Sequence, residues 1–119
     1  MSKVFVYGTL CREGCSHHLI EHCQFIKEAK THSRYQLYTR GWFPSMTIDE
    51  SLAGGVYGEV YEVPDEYLPT LDRYEGAPNF FYRSSVELAD GDTAIAYLMD
   101  DRSMSKRIPS GRWIDAETQ

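Results

Sequence analysis

Val56-Tyr57-Gly58-Glu59-Val60-Tyr61-Glu62-Val63 runs straight into Pro64-Asp65-Glu66-Tyr67-Leu68, and this junction decides the fold class. The first stretch alternates with the period of a strand. Val56, Gly58 and Val60 share one face, and Tyr57 and Tyr61 share the other. The second stretch opens a helix, because proline suits a first turn and acids favour the positive end of the helix dipole. Leu68, Leu71 and Glu75 then fall at helical spacing. Gly76 followed by Pro78 is a stop signal.

On the amino-terminal side, Lys3 to Tyr7 is apolar nearly throughout and reads as a buried strand that Gly8 breaks. Ser16 is placed to cap a helix running to about Ile26, with Leu19, Cys23 and Ile26 on one stripe. Arg34 to Tyr38 reads as a strand, and Gly41-Trp42-Phe43-Pro44 and Gly54-Gly55 read as turns. Towards the carboxyl end, Phe80 to Leu88 and Thr93 to Met99 are strands joined by Ala89-Asp90-Gly91-Asp92. The predicted order is β-α-β-β-α-β-β. Helices mixed with hairpins predict an α+β fold, a small mixed and strongly bent sheet or β-barrel, with about two short helices packed outside. A doubly wound parallel sheet does not fit that order.

The 119 residues suffice for one domain, read as 1–114 with a short tail at 115–119. A hydrophobic share of 42% excludes a disordered chain. The formal net charge of −6 repels phosphate backbones, so nucleic acid is excluded as a partner. No apolar run reaches the roughly 20 residues that span a bilayer, and the first apolar run is too short for a signal peptide. A cytoplasmic protein is therefore expected. Cys11, Cys15 and Cys23 all lie near the amino terminus and cannot staple the rest of the chain, so reduced thiols are expected.

Three groups of residues are candidates for chemistry. Glu75 sits on the inward stripe of its helix, while Asp65, Glu66, Asp72 and Arg73 face water. Lost hydration and the negative end of the dipole both raise the pKa of such a carboxyl, as a general base needs. The plain alternative is an acid beside a helix cap, or one paired with Arg83. Tyr7-Gly8-Thr9-Leu10 follows the first strand, where glycine lets the backbone approach a ligand and successive N–H groups form an anion-binding concavity. An ordinary turn is the competing reading of that loop. Cys11, Cys15, His17, His18, His22 and Cys23 have spacings seen in zinc sites, against which stands the core role of Leu19, Cys23 and Ile26.

Taken together and in order, several segments resemble the γ-glutamylcyclotransferase-like family, in particular its small γ-glutamylamine cyclotransferase-type members. They are Val4-Phe5-Val6-Tyr7-Gly8-Thr9-Leu10, Tyr35-Gln36-Leu37-Tyr38, Gly41-Trp42-Phe43-Pro44, Val56-Tyr57-Gly58-Glu59-Val60-Tyr61, Leu71-Asp72-Arg73-Tyr74-Glu75-Gly76 and Ser110-Gly111-Arg112-Trp113. The resemblance implies a small mixed β-barrel with outer helices and release of 5-oxoproline from a small-molecule γ-glutamyl substrate. It implies that Tyr7, Gly8, Thr9 and Leu10 bind the γ-glutamyl group and that Glu75 is the general acid/base. No metal or organic cofactor is implied, no membrane is involved, and a monomer is expected. The family often shows Tyr-x-Arg after the glutamate, where this chain has Phe81-Tyr82-Arg83, and Asp before the final Trp, where it has Arg112. The leaving amine would contact Trp42-Phe43-Pro44 and Ala77-Pro78-Asn79-Phe80, whose aromatic content favours an apolar portion. A non-catalytic small-molecule binding module on the same fold is the alternative function.

Overall fold

The computed structural model describes residues 1–12, 14, 16–39, 41, 43–77, 79–100 and 106–113. The boundary expected at 114 and the tail at 115–119 lie outside these residues. Eight strands and one α-helix follow in chain order: β1 Ser2–Val6, β2 Gln24–Lys30, β3 Tyr35–Thr39, β4 Pro44–Ile48, β5 Tyr57–Val63, α1 Leu68–Glu75, β6 Tyr82–Glu87, β7 Thr93–Leu98 and β8 Lys106–Arg107. Single 3-10 turns lie at His17–Leu19 and Asp65–Tyr67. Five strands form one sheet in the order β2-β5-β1-β7-β6, and β4-β3-β8 form a second. The α+β class expected from the sequence is the one observed.

β1 is the middle strand. It pairs antiparallel with β5, from Ser2↔Val63 to Val6↔Glu59, and parallel with β7 at Val4↔Ile95. Its alternate side chains enter two different cores. Phe5 and Tyr7 join Leu37, Met46, Val60 and Leu98 on the face covered by the second sheet. Val4 and Val6 join Ile20, Tyr61, Leu71 and Tyr97 on the face covered by α1. A strand buried on both sides has no polar face to show, hence its unbroken apolar run.

The expected helix from Ser16 to Ile26 does not form. Ser16 makes no capping bond, only a 3-10 turn follows, and the residues from Gln24 onward become β2, paired with β5 from Gln24↔Glu62 to Lys30↔Tyr57. The supposed stripe is split between the cores: Leu19 and Cys23 pack on the α1 side and Ile26 on the other. Pairing with a ready strand edge outweighed a weak local helical signal. Of the turn expected at Gly41-Trp42-Phe43-Pro44, Trp42 lies outside the described residues and Pro44 instead opens β4, taking the first position of an edge strand, where no ladder donor is needed.

Among the described residues the large sheet does not close into the expected β-barrel. The two edges of the large sheet, β2 and β6, approach only at its lower end, through the isolated bridge Thr31↔Leu88 and the bonds His32 N–H to Glu87 O (2.9 Å) and Ala89 N–H to Lys30 O (2.8 Å). The sheet is bent far enough for its edges to touch at one point, but no ladder joins them. Among the described residues, no helix is long and apolar enough to cross a membrane.

Candidate functional site

α1 carries Glu75 as its last residue. Gly76 follows in the left-handed conformation (φ 70°), which a residue with a side chain resists. The N–H of Gly76 donates to Arg73 O (3.2 Å) and that of Ala77 to Asp72 O (2.9 Å), closing the helix as a Schellman motif. Leu68 and Leu71 are buried on the sheet side, and Glu75, on the same stripe, is drawn in behind them to partial burial. Burial raises its pKa from the ordinary 4.5 to about 7. Arg83 does not relieve it. That guanidinium pairs with Asp72 (3.4 Å), which also accepts a hydrogen bond from the Tyr97 hydroxyl (2.6 Å). Asp72 therefore faces a tyrosine and an arginine, not open water as the sequence had led us to expect.

Glu75 and the loop Tyr7-Gly8-Thr9-Leu10 line the same cavity, of about 260 Å³, with Phe5, Val6, Phe43, Pro44, Tyr74, Phe80, Phe81 and Tyr97 completing the wall. Gly8 lies flat against Pro44. A Cβ there would overlap the proline Cγ and come within 2.9 Å of its Cδ. The loop is fixed through its carbonyls: Gly8 O accepts from Cys11 N–H (3.0 Å) and Thr9 O from Ser16 N–H (2.8 Å). Among the described residues, the N–H groups of Thr9 and Leu10 have no acceptor. Two adjacent free donors beside a cavity favour an anionic or carbonyl oxygen.

Each residue of the loop has a distinct place. The Tyr7 ring turns into the core and its hydroxyl donates to Tyr97 O (2.6 Å), so its phenol is a wall rather than a free polar group. Its pKa stands well above the ordinary value through burial first and the charge of Glu75 second. The Thr9 hydroxyl meets the Tyr74 hydroxyl (2.9 Å), which donates to Ser16 Oγ (2.7 Å). Leu10 is buried in the α1-side core.

Phe81 lines the cavity, whereas its neighbour Tyr82 faces the other way and donates to Asp100 (2.7 Å). No hydroxyl from either residue enters the site. Of the residues expected to contact the leaving amine, Phe43, Pro44 and Phe80 line the cavity, Ala77 and Asn79 do not, and Trp42 and Pro78 lie outside the described residues; Tyr97 and Tyr74 are lining residues that the sequence does not single out. Tyr97 belongs to the site because β7 lies beside β1, a pairing that the chain order does not reveal.

Among the described residues the amino-terminal Cys and His side chains do not gather into one group, although His22 Nε2 lies 3.7 Å from Cys23 Sγ. His17 Nδ1 is bonded to Leu10 O (2.9 Å), Cys11 Sγ donates to Val6 O (3.4 Å), and His22 lies edge-on to Tyr67. Cys15 lies outside the described residues. Among those described, no three His, Cys, Asp or Glu side chains converge as a metal site would require.

The buried carboxyl has a consequence for stability. Below its ordinary value of 4.5, Glu75 is protonated whether the chain is folded or not, and it contributes no penalty. Between 4.5 and about 7 the unfolded chain releases the proton and the folded chain holds it, so stability falls as pH rises, then levels off. Glu75→Gln removes the charge. Thermal unfolding should show the variant more stable than wild type at about pH 8, by up to about 3 kcal/mol. That difference should shrink to nothing near pH 4.

Residues 4–115 match the family described as Gamma-glutamyl cyclotransferase, AIG2-like. A Vibrio cholerae protein is 32% identical over 110 residues, 92% of this chain and 93% of that protein, and its name assigns gamma-glutamylcyclotransferase activity provisionally. Gamma-glutamylaminecyclotransferase A of Danio rerio is 31% identical over 107 residues, 81% of this chain and 66% of that protein. Among solved structures, the solution structure of YtfP from Escherichia coli superposes with a TM-score of 0.73 at 28% identity, covering 97% of this chain and 98% of that one.

Proposed function

The chain belongs to the gamma-glutamyl cyclotransferase, AIG2-like family, and from that membership we propose that it releases 5-oxoproline from a small γ-glutamyl amine or γ-glutamyl amino compound. The observation that carries the reading is one cavity lined both by the partly buried Glu75, its pKa raised to about 7, and by the loop whose Thr9 and Leu10 N–H groups have no acceptor among the described residues. The substrate's α-ammonium must lose a proton before its nitrogen can attack the γ-carbonyl. Glu75, whose burial lifts its pKa to about 7, takes that proton. The nitrogen lone pair forms the new C–N bond, and the carbonyl oxygen takes up the displaced electron pair. The N–H groups of Thr9 and Leu10 stabilise that oxyanion, a role worth about 2.7–4 kcal/mol per donor elsewhere. The attacking nitrogen, now cationic, still holds one proton more than the lactam keeps. As Glu75 returns the first proton to the leaving amine, the bond to that amine breaks. The second proton passes from the ring nitrogen by way of Glu75 to the departing amine, which leaves as an ammonium. Attack within one molecule needs only that the chain be held folded, which a narrow cavity supplies.

The test is release of 5-oxoproline from γ-glutamyl compounds by the purified wild-type protein. Release at a rate above the uncatalysed background is the expected result. Binding of 5-oxoproline without turnover of any γ-glutamyl compound would replace the enzyme reading with that of a binding module.

A further inference from the structure

The cavity has more wall than a γ-glutamyl head requires. That head carries an ammonium, a carboxylate and the reacting carbonyl, and its natural partners are Glu75, the Thr9 and Leu10 N–H groups and the hydroxyls of Thr9 and Tyr74. The remaining surface is carbon, dominated by three phenylalanines. Their ring centroids lie 5.3 Å apart for Phe80–Phe81, 5.8 Å for Phe43–Phe80 and 6.3 Å for Phe43–Phe81, in tilted and edge-on contacts. Phe81 is buried, but Phe80 is 52% exposed. A large ring held half in water at the rim of a cavity is a surface awaiting a partner.

Phe80 is also preset. Its N–H donates to Gly76 O (2.8 Å), and the left-handed turn at Gly76 brings the Phe80 Cβ within 3.0 Å of where a Cβ on Gly76 would stand. The same turn ends α1 behind Glu75, so the acid and the ring are placed by one piece of backbone. Among the described lining residues there is no Lys, Arg or His. A leaving amine bearing its own carboxylate would lose water without gaining a cation, and would stand near the Glu75 charge. An apolar ring would instead bury itself against Phe80 with the edge-on contacts that aromatic pairs favour.

Resting on the cyclotransferase reading, we propose that the leaving group is an uncharged-tailed, apolar amine, preferably aromatic, and that Phe80 selects it. The test compares 5-oxoproline release from γ-glutamyl-benzylamide, γ-glutamyl-methylamide and γ-glutamyl-glycine, in wild type and in Phe80→Ala. The expected order places the benzylamide at least about tenfold above the glycine conjugate in kcat/KM, with the difference mainly in KM. In Phe80→Ala, the ratio of benzylamide to methylamide should fall about tenfold. The exposed ring can be removed without opening the core. Turnover of the methylamide with the glycine conjugate equal or better, or an unchanged ratio in the variant, would overturn the inference alone. No release from any of the three would overturn the cyclotransferase reading and this inference with it.

Discussion

Glu75→Gln should lower 5-oxoproline release by about 10²–10⁴-fold, the range that a positioned proton carrier supplies. The substitution keeps the shape of the side chain and removes its ability to accept a proton. Loss of fold cannot explain the effect, because the same variant is expected to be the more stable protein above neutral pH, as its buried charge is gone. Lower activity with higher stability marks a group held at an unfavourable place for its chemistry. The pH profile adds a separate check. In wild type, kcat/KM should rise with pH through a midpoint near 7 and level off above it, as the Glu75 carboxyl ionises in the folded state. The residual activity of the variant should lack that limb. A variant with wild-type turnover and an unaltered profile would remove Glu75 from the mechanism.

The second large effect is expected at Gly8. Gly8→Ala adds one carbon that overlaps Pro44 Cγ, a ring atom rather than the far end of a flexible side chain, so backbone has to shift. Pro44 opens β4 and is bound into the second sheet by its pairing with Thr39. The loop must therefore move, and with it the Thr9 and Leu10 N–H groups. A displacement of about 1 Å at a reacting centre costs on the order of 10²-fold in rate. Overpacking of this size costs about 1–3 kcal/mol of stability. Kinetics should show the loss mainly in kcat, because the donors matter most once charge has formed on the oxygen. An alanine variant with unchanged kcat would mean that the loop backbone does not hold the reacting carbonyl.

These effects trace to features that differ in how far the sequence exposes them. The unbroken apolar run of β1 declares burial on both faces, and both faces are covered. Leu68, Leu71 and Glu75 with Gly76 state a helix, its inward stripe and its end within a few residues, because each signal is local. β2 was hidden for the opposite reason. Its residues are half-buried or exposed, and what makes them a strand is the β5 edge about 30 positions later. The bend that brings β2 to β6 at Thr31↔Leu88 without closing the sheet is likewise a property of assembled strands. In the site, Glu75 and the glycine loop were legible from their own surroundings. Tyr97, which stands between them, became a wall only once β7 lay beside β1.

The centre of the large sheet is synthesised before either of the strands that flank it. β1 gains its first neighbour only when β5 exists, and its second only when β7 arrives, through the contact Val4↔Ile95. Pairings between such distant segments form slowly. Throughout translation of the intervening residues the nascent protein carries a bare, sticky ribbon, the kind of surface that invites aggregation or capture by a chaperone. The bend at Gly8 inherits that delay: on the ribosome, the pocket is among the last things to exist.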